Sequence, residues 1–310
     1  MTKKRTILVT GATGTQGGSV AKALLQRGEF SVRILTRNAS SEKALALQGM
    51  GAEIAIGDMK DEESLERAME GCYGVYGVTD YWEHFNREYT LGMNLIEAVA
   101  VSGISHFVLH TLPDYKAMSG GEFPVPQYDM KAALKAFSQD LRLPATYVQM
   151  GFYYENFFNL VAPLPDQFGV FQFGFPQGHA KLAMVSAEDI GPIVASVFAD
   201  PQTYIGRTIT AVGADETCDV YADTMTRVLN VPVHYNYVPH ELYINLGYRH
   251  AEELGNMFEV QRLYISNRQK DWEESYKLNP DIQTFESWLH KNKERLLAQF
   301  EEHLIDEGVY

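Results

Sequence analysis

Lys131 closes the stretch QYDMK, residues 127–131. A lysine one helical turn after a tyrosine, Y-x-x-x-K, can do proton chemistry. The ammonium lowers the phenol pKa, and the phenol moves the proton. Here Gln127 stands four residues before Lys131, and an amide cannot serve as that acid. Tyr128 stands three before it. An i,i+3 pair shares a helix face, so Tyr128 is a candidate donor in a displaced position. A serine partner is missing from LHTLPDYK, residues 109–116, where Thr111 is the nearest substitute. The lysine of the pattern is present and its proton donor is not.

A second constellation lies near the start, in GATGTQGGSV. Gly11, Gly14 and Gly17 fall in a G-x-x-G-x-x-G spacing. The strand-like run TILVT precedes them, and a helix-like run over 19–26 follows. Glycine permits positive φ and close approach of the backbone to a pyrophosphate. The following helix turns free N–H groups and its positive dipole end toward that anion. Thr13, Thr15 and Gln16 add further donors to the loop. The spacing alone is a weak signal; its place inside a β-α-β pattern supplies the context that dinucleotide binding needs. The second strand-like run ends at LTRN, residues 35–38. An acidic residue there would hold the ribose hydroxyls of NAD. Arg37 and Asn38 stand there instead, and arginine's planar fork matches a phosphate. The expected cofactor is therefore NADP(H) rather than NAD(H), with a solvated surface charge as the plain alternative for Arg37.

Other chemistries find little support. The nine histidines are scattered, without H-E-x-x-H or a close Cys/His cluster. No metal site is expected. No G-x-S-x-G elbow is present. The two cysteines, Cys72 and Cys218, form no C-x-x-C pair, which fits a reducing compartment. A net charge of −14 argues against direct nucleic-acid binding. MTKKRTILVTG runs straight into the first strand, so no signal peptide is expected, and no apolar run reaches membrane length. A cytoplasmic protein, with access to the nucleus, is the expectation.

These residues need elements to position them. Strand-like runs cover 6–10, 31–36, 52–58, 75–80, 106–111 and 145–150, with helix-like runs at about 17–28, 41–50, 61–70, 84–102 and 128–141 between them. This alternation predicts an α/β, Rossmann-type, doubly wound parallel sheet. Glycines in QRGEF and SGISHF suit helix ends. After residue 151 the rhythm breaks. GFYYENFFNLVAPLPDQFGVFQFGFPQGHA reads as a loop, a short helix and a hairpin-like stretch. LAMVSAEDIGPIVASVF returns to a strand and a helix that Ser186 can cap, with Asp189 in the first turn. The prediction is an NADP-binding domain over 1–152 plus 184–213. A smaller, mostly helical second domain covers 153–183 plus 214–310. The tail has apolar residues at Leu289, Leu296, Leu297, Phe300 and Leu304, which predicts a helix packed on its own domain or on a second subunit.

Several separated stretches resemble the NmrA-like family, an atypical branch of the short-chain dehydrogenases/reductases. They are GATGTQGGSV, VRILTRN, GDMKDEESLERAMEGCYGVYGVTDYWE, MKAALKAF, YYENFF, VSAEDIGPIV and LGYRHAEELGNMFEVQRLY. The resemblance covers nearly the whole chain. It implies that Gly11, Thr13, Gly14, Thr15, Gln16 and Gly17 hold the pyrophosphate, and that Arg37 and Asn38 face the 2′-phosphate. Asp58 and Met59 would lie near the adenine, and Thr79, Asp80 and Tyr81 along the cofactor. Lys131 would reach the nicotinamide ribose, and Tyr153, Tyr154, Glu155 and Asn156 would close over the nicotinamide end. In sensor-like members the position of Asp80 is usually an amide, so the carboxylate here weakens that assignment.

The resemblance leaves two functions open. One is a redox sensor that binds NADP(H) without turnover and acts through a regulatory protein partner, as in negative control of transcription. The other is an NADPH-dependent reductase of the isoflavone-reductase or quinone-reductase type, in which Lys131 and Tyr128 would be the catalytic pair. A homodimer is compatible with both.

Overall fold

The computed structural model describes residues 4–306 of the chain; residues 1–3, on which the expectation of no signal peptide partly rests, and 307–310, the end of the expected second domain, lie outside them. β1 (Arg5–Val9), β2 (Phe30–Thr36), β3 (Glu53–Ile56), β4 (Gly74–Gly77), β5 (His106–His110) and β6 (Ala145–Met150) come first. β7 (Phe152–Tyr153), β8 (Leu164–Pro165), β9 (Phe171–Phe175) and β10 (Lys181–Val185) follow. β11 (Thr208–Ala211), β12 (Ala214–Thr217) and β13 (Val233–Tyr237) complete the strands.

Seven strands form one sheet in the order β11-β6-β5-β4-β1-β2-β3. Every pair in it is parallel. Parallel strands covered on both faces must be apolar throughout. Ile7, Leu8, Val9, Val75 and Tyr76 accordingly have no exposed surface. One face packs against the helices Thr15–Arg27 and Ile190–Ala199, and the other against Glu62–Met69, Glu88–Val101 and Pro126–Asp140. The direction of winding reverses between β1 and β4, which is where open α/β sheets place their ligands.

Two short sheets, β12-β10-β7 and β13-β9-β8, support a second core rich in aromatics. Phe171 stacks on Phe300, and Phe175 on Phe258, each at 4.0 Å between ring centroids. The hairpin-like reading after residue 151 corresponds to antiparallel β8 and β9, joined through Gly169 at φ 77°. β10 pairs with β7 and β12 rather than with the large sheet. The tail helix Phe285–Asp306 buries Leu289, Leu296 and Phe300 in this core. Leu297 and Leu304 pack at its margin. Among the described residues, no helix is long and apolar enough to cross a membrane.

The helix expected over 84–102 is broken. A short helix Tyr81–His84 ends at Phe85, whose φ is 47°, and Glu88–Val101 starts afresh. The Phe85 ring explains the break. It packs edge-on to Tyr81 at 5.5 Å and stacks with His250 at 5.8 Å. Contacts with a residue 165 positions away override local helix propensity.

Candidate functional site

A cleft of about 990 Å³ opens above the C-terminal ends of β1, β2 and β4 and runs between the two cores. The glycine turn forms one end. Gly11 has φ +60°, and a Cβ at Gly17 would sit 2.4 Å from the Gly11 carbonyl oxygen. Only glycine fits both places. Gly14 precedes the helix Thr15–Arg27, and no side chain caps that helix start. Its first N–H groups thus remain available to an anion. Thr13, Thr15 and Gln16 share this wall.

Arg37 leaves the end of β2 and ion-pairs with Glu83, Nη2 to Oε1, at 2.8 Å. The hydrogen bond from Arg37 holds the Glu83 carboxyl below its ordinary value. Asn38 shapes the turn beside it: its Oδ1 accepts from the backbone N–H of Ser40 at 3.0 Å. Asp58 and Met59 line the same end. Asp58 does not cap the next helix; Asp61 does, accepting from the N–H of Ser64 at 3.2 Å.

Asp80 has a structural task. Its Oδ1 accepts from the N–H of Glu83 at 3.2 Å and caps the short helix that carries Tyr81, Trp82 and Glu83. This helix forms a flap along the cleft. Trp82 meets His250 at 4.6 Å, at the start of the helix Ala251–Tyr264, whose Leu254 and Met257 line the cleft.

Lys131 is buried at the floor. Its Nζ donates to the carbonyl and the hydroxyl of Thr79, both at 3.0 Å, and contacts Glu88 directly. Thr79 Oγ1 also donates to Glu88, at 2.6 Å. Glu88 has no exposed surface, and its Oε2 lacks a hydrogen-bond partner. Two charges cancel inside this triad, so Lys131 is a held charge rather than a free one. His110 lies beside it, and burial pushes its pKa down to about 3, with Lys131 adding to the shift. The imidazole is neutral at physiological pH.

Tyr128 borders the cleft but stacks on Tyr115 at 4.4 Å. Burial pushes its phenol up to about 12, which makes it a poor acid. Thr111 does not replace a serine. Its hydroxyl donates to the Lys131 carbonyl at 2.8 Å and is fully buried. Tyr153 reaches the glycine turn, where Gln16 Nε2 donates to its hydroxyl. Asn156 lines the wall. Two expected residues turn away. Tyr154 is buried against Phe285 and Trp288. Glu155 accepts from Ser186 Oγ at 2.8 Å, from the Ala187 N–H at 3.0 Å and from Trp288 Nε1 at 3.1 Å. The reason is the 3₁₀ turn Tyr154–Phe158, which sends successive side chains to different faces. The sequence motif YYENFF anchors the second core more than it lines the cleft.

The sequence reading missed Glu83, Glu88, His110, Leu254 and Met257, all of which except Glu88 line the cleft. Glu83, Leu254 and Met257 lie within stretches that carry the family resemblance, which was the signal for them; Glu88 and His110 belong to no such stretch.

The sheet order and the glycine turn at its reversal define the Rossmann class of nucleotide-binding folds. Within it, the chain belongs to the NmrA-like family, whose family model matches residues 3–289. An NmrA-like family domain-containing protein of Dictyostelium discoideum is 28% identical over 77% of this chain and 81% of its own. The NmrA-like family domain-containing oxidoreductase himF of Aspergillus japonicus is 33% identical, over 66% of this chain and 67% of its own. The crystal structure of a doubly substituted NmrA superposes with a TM-score of 0.81 at 25% identity, covering 94% of this chain and 96% of that one. NmrA, described as a negative transcriptional regulator, has also been solved with NADP; that structure matches at a TM-score of 0.79 and 23% identity, covering 96% and 97%.

Proposed function

We propose that this protein binds NADP(H) in the cleft and reports its presence through contacts with a regulatory protein, without dehydrogenase turnover. The observation that carries this reading is the floor of the site. Gln127 stands where a proton donor would stand, Lys131 is tied to Glu88 and Thr79, and the Tyr128 phenol is stacked and raised. NmrA's regulatory role and its NADP complex support the reading. The motifs also resemble those of the animal NADPH-sensing member HSCARG.

The chain's residues fit the dinucleotide. Gly11, Gly14 and Gly17 make room for a pyrophosphate, with Thr13, Thr15 and Gln16 as donors. Arg37 and Asn38 take the 2′-phosphate once Glu83 yields. Asp58 and Met59 sit at the adenine, Thr79, Asp80 and Tyr81 along the length, and Lys131, Tyr153 and Asn156 toward the nicotinamide. Bound NADPH would supply a hydride. The residues around it would hold it and supply no strong acid. The flap spans from Arg37 to His250, so occupancy can reach the outer surface. This reading places the protein in the cytoplasm with access to the nucleus.

A second reading is an NADPH-dependent reductase, supported by the oxidoreductase designation of himF. NADPH oxidation against a panel of quinones and enones, with calorimetric NADP(H) binding on the same sample, separates the two. Tight binding with negligible oxidation supports the sensor. Oxidation at an ordinary enzymatic rate overturns it.

A further inference from the structure

Gln127 is unexplained by anything above except as a missing acid. The residue is 6% exposed and lines the cleft. Neither its Nε2 nor its Oε1 has a hydrogen-bond partner. Buried amides are nearly always paired, because an unmade bond leaves the desolvation of donor and acceptor uncompensated. A donor and an acceptor therefore wait side by side in the wall.

The surroundings say what would fill them. Leu112, Leu254 and Met257 line the same cleft and give it apolar walls. Lys131, one helical turn further along Pro126–Asp140, has its charge cancelled by Glu88. His110 is neutral. An ion would find no opposite charge here. A flat, neutral group with an acceptor next to a donor would find both partners.

We propose that Gln127 is the seat of a planar carboxamide, held by paired N–H···O hydrogen bonds to its side chain. This rests on the reading that a dinucleotide occupies the cleft. The carboxamide has two possible sources. One is the nicotinamide ring itself, since Lys131 on the same helix face is assigned to the neighbouring ribose. The other is a separate small amide lying beside the ring.

The test is calorimetric, on wild type, Gln127→Met and Gln127→Glu. The ligands are NADP⁺, its 3-acetylpyridine analogue (which keeps the carbonyl and lacks the amide N–H) and 2′-phospho-ADP-ribose, which lacks the ring. The last reports on the fold and on the rest of the cleft. Wild type should prefer NADP⁺ to the acetylpyridine analogue by roughly 2–10-fold, the worth of one hydrogen bond. Gln127→Met should lose that preference. Gln127→Glu keeps the acceptor for the amide N–H and loses the donor to the carbonyl, so it should weaken both dinucleotides and retain the preference. Both variants should bind 2′-phospho-ADP-ribose as wild type does. This outcome supports the nicotinamide source. In the second arm, benzamide is titrated into the complex with 2′-phospho-ADP-ribose. Benzamide binding to wild type that is lost in Gln127→Met, with no preference between the dinucleotides, supports the separate amide. If wild type shows neither preference nor benzamide binding, or if Gln127→Met retains them, the assignment is overturned. If NADP⁺ and 2′-phospho-ADP-ribose both fail to bind wild type, the reading of the cleft fails first and takes this assignment with it.

Discussion

Arg37 and Glu83 face each other across the mouth of the cleft, guanidinium to carboxylate, at 2.8 Å. Arg37 belongs to the end of β2 and Glu83 to the flap helix Tyr81–His84. In the proposed binding mode the carboxylate stands where a cofactor phosphate would pair. A 2′-phosphate must displace it, and a bare ribose hydroxyl need not. Arg37→Ala should therefore cost about 1.5–3 kcal/mol of NADPH affinity, as for a hydrogen bond to a charged group. NADH affinity should barely change. Glu83→Gln should act in the opposite direction, strengthening NADPH binding by about 0.2–1 kcal/mol, the worth of an exposed pair. Titration calorimetry with both cofactors decides; equal effects on NADPH and NADH would remove Arg37 from the phosphate.

The Lys131–Glu88 pair makes a different prediction. Removing one partner of a buried pair leaves the other charge uncompensated, at about 3–5 kcal/mol. Lys131→Met should lower stability by that order, and Glu88→Gln likewise. The double variant should recover much of the loss. Urea unfolding of the four proteins measures the coupling. Additive losses would contradict the pairing.

Acid sensitivity follows from two buried histidines. Burial pushes His110 down to about 3 and His106 down to about 4, from an ordinary value of 6.5. Their folded pKa values lie below the unfolded ones. Their contribution is complete above pH 6.5 and declines as pH falls toward the folded values. At pH 5 the loss is about 2 kcal/mol for each histidine. Asp189 opposes this. Burial raises it to about 6, so the folded protein gains on protonating it as pH falls from 7. Unfolding curves at pH 7 and pH 5 should show a net loss for wild type. His110→Gln should flatten the decline and Asp189→Asn should steepen it. An unchanged slope in His110→Gln would show that the imidazole is charged or solvated.

Cofactor-dependent ordering should be confined to part of the cleft wall. Tyr154 and Phe157 are fully packed in the second core, and Glu155 is held by three donors. Hydrogen exchange should slow on NADPH binding around residues 81–87, and the amides of 154–158 should remain protected throughout. Protection gained across all of 153–171 would mean that this anchor opens in the free protein.

The glycine turn and the strand-helix alternation were legible because local constraints fix them. Gly11 and Gly17 are demanded by backbone geometry within ten residues, and the parallel strands are marked by short, mostly apolar runs. The break at Phe85 was not legible, since His250 causes it from far along the chain. Glu88 escaped for a similar reason: nothing near it in sequence reveals that Lys131 and Thr79 converge on it. Tyr154 and Glu155 were misplaced because a motif fixes position and not direction. Thr111 sits in the right segment, yet its hydroxyl is taken by the Lys131 carbonyl.

The tail helix has a consequence for the order of synthesis. Six of the seven strands of the large sheet have left the ribosome's active site by residue 150. The aromatic partners Phe171, Phe173 and Phe175 are made soon after, but Phe258, Phe285, Trp288 and Phe300, which cover them, come more than 80 residues later. At about 5–20 residues per second, that interval lasts several seconds. Through it the nascent chain shows water and chaperones a half-made apolar surface, while the cleft's glycine turn already rests on most of its sheet.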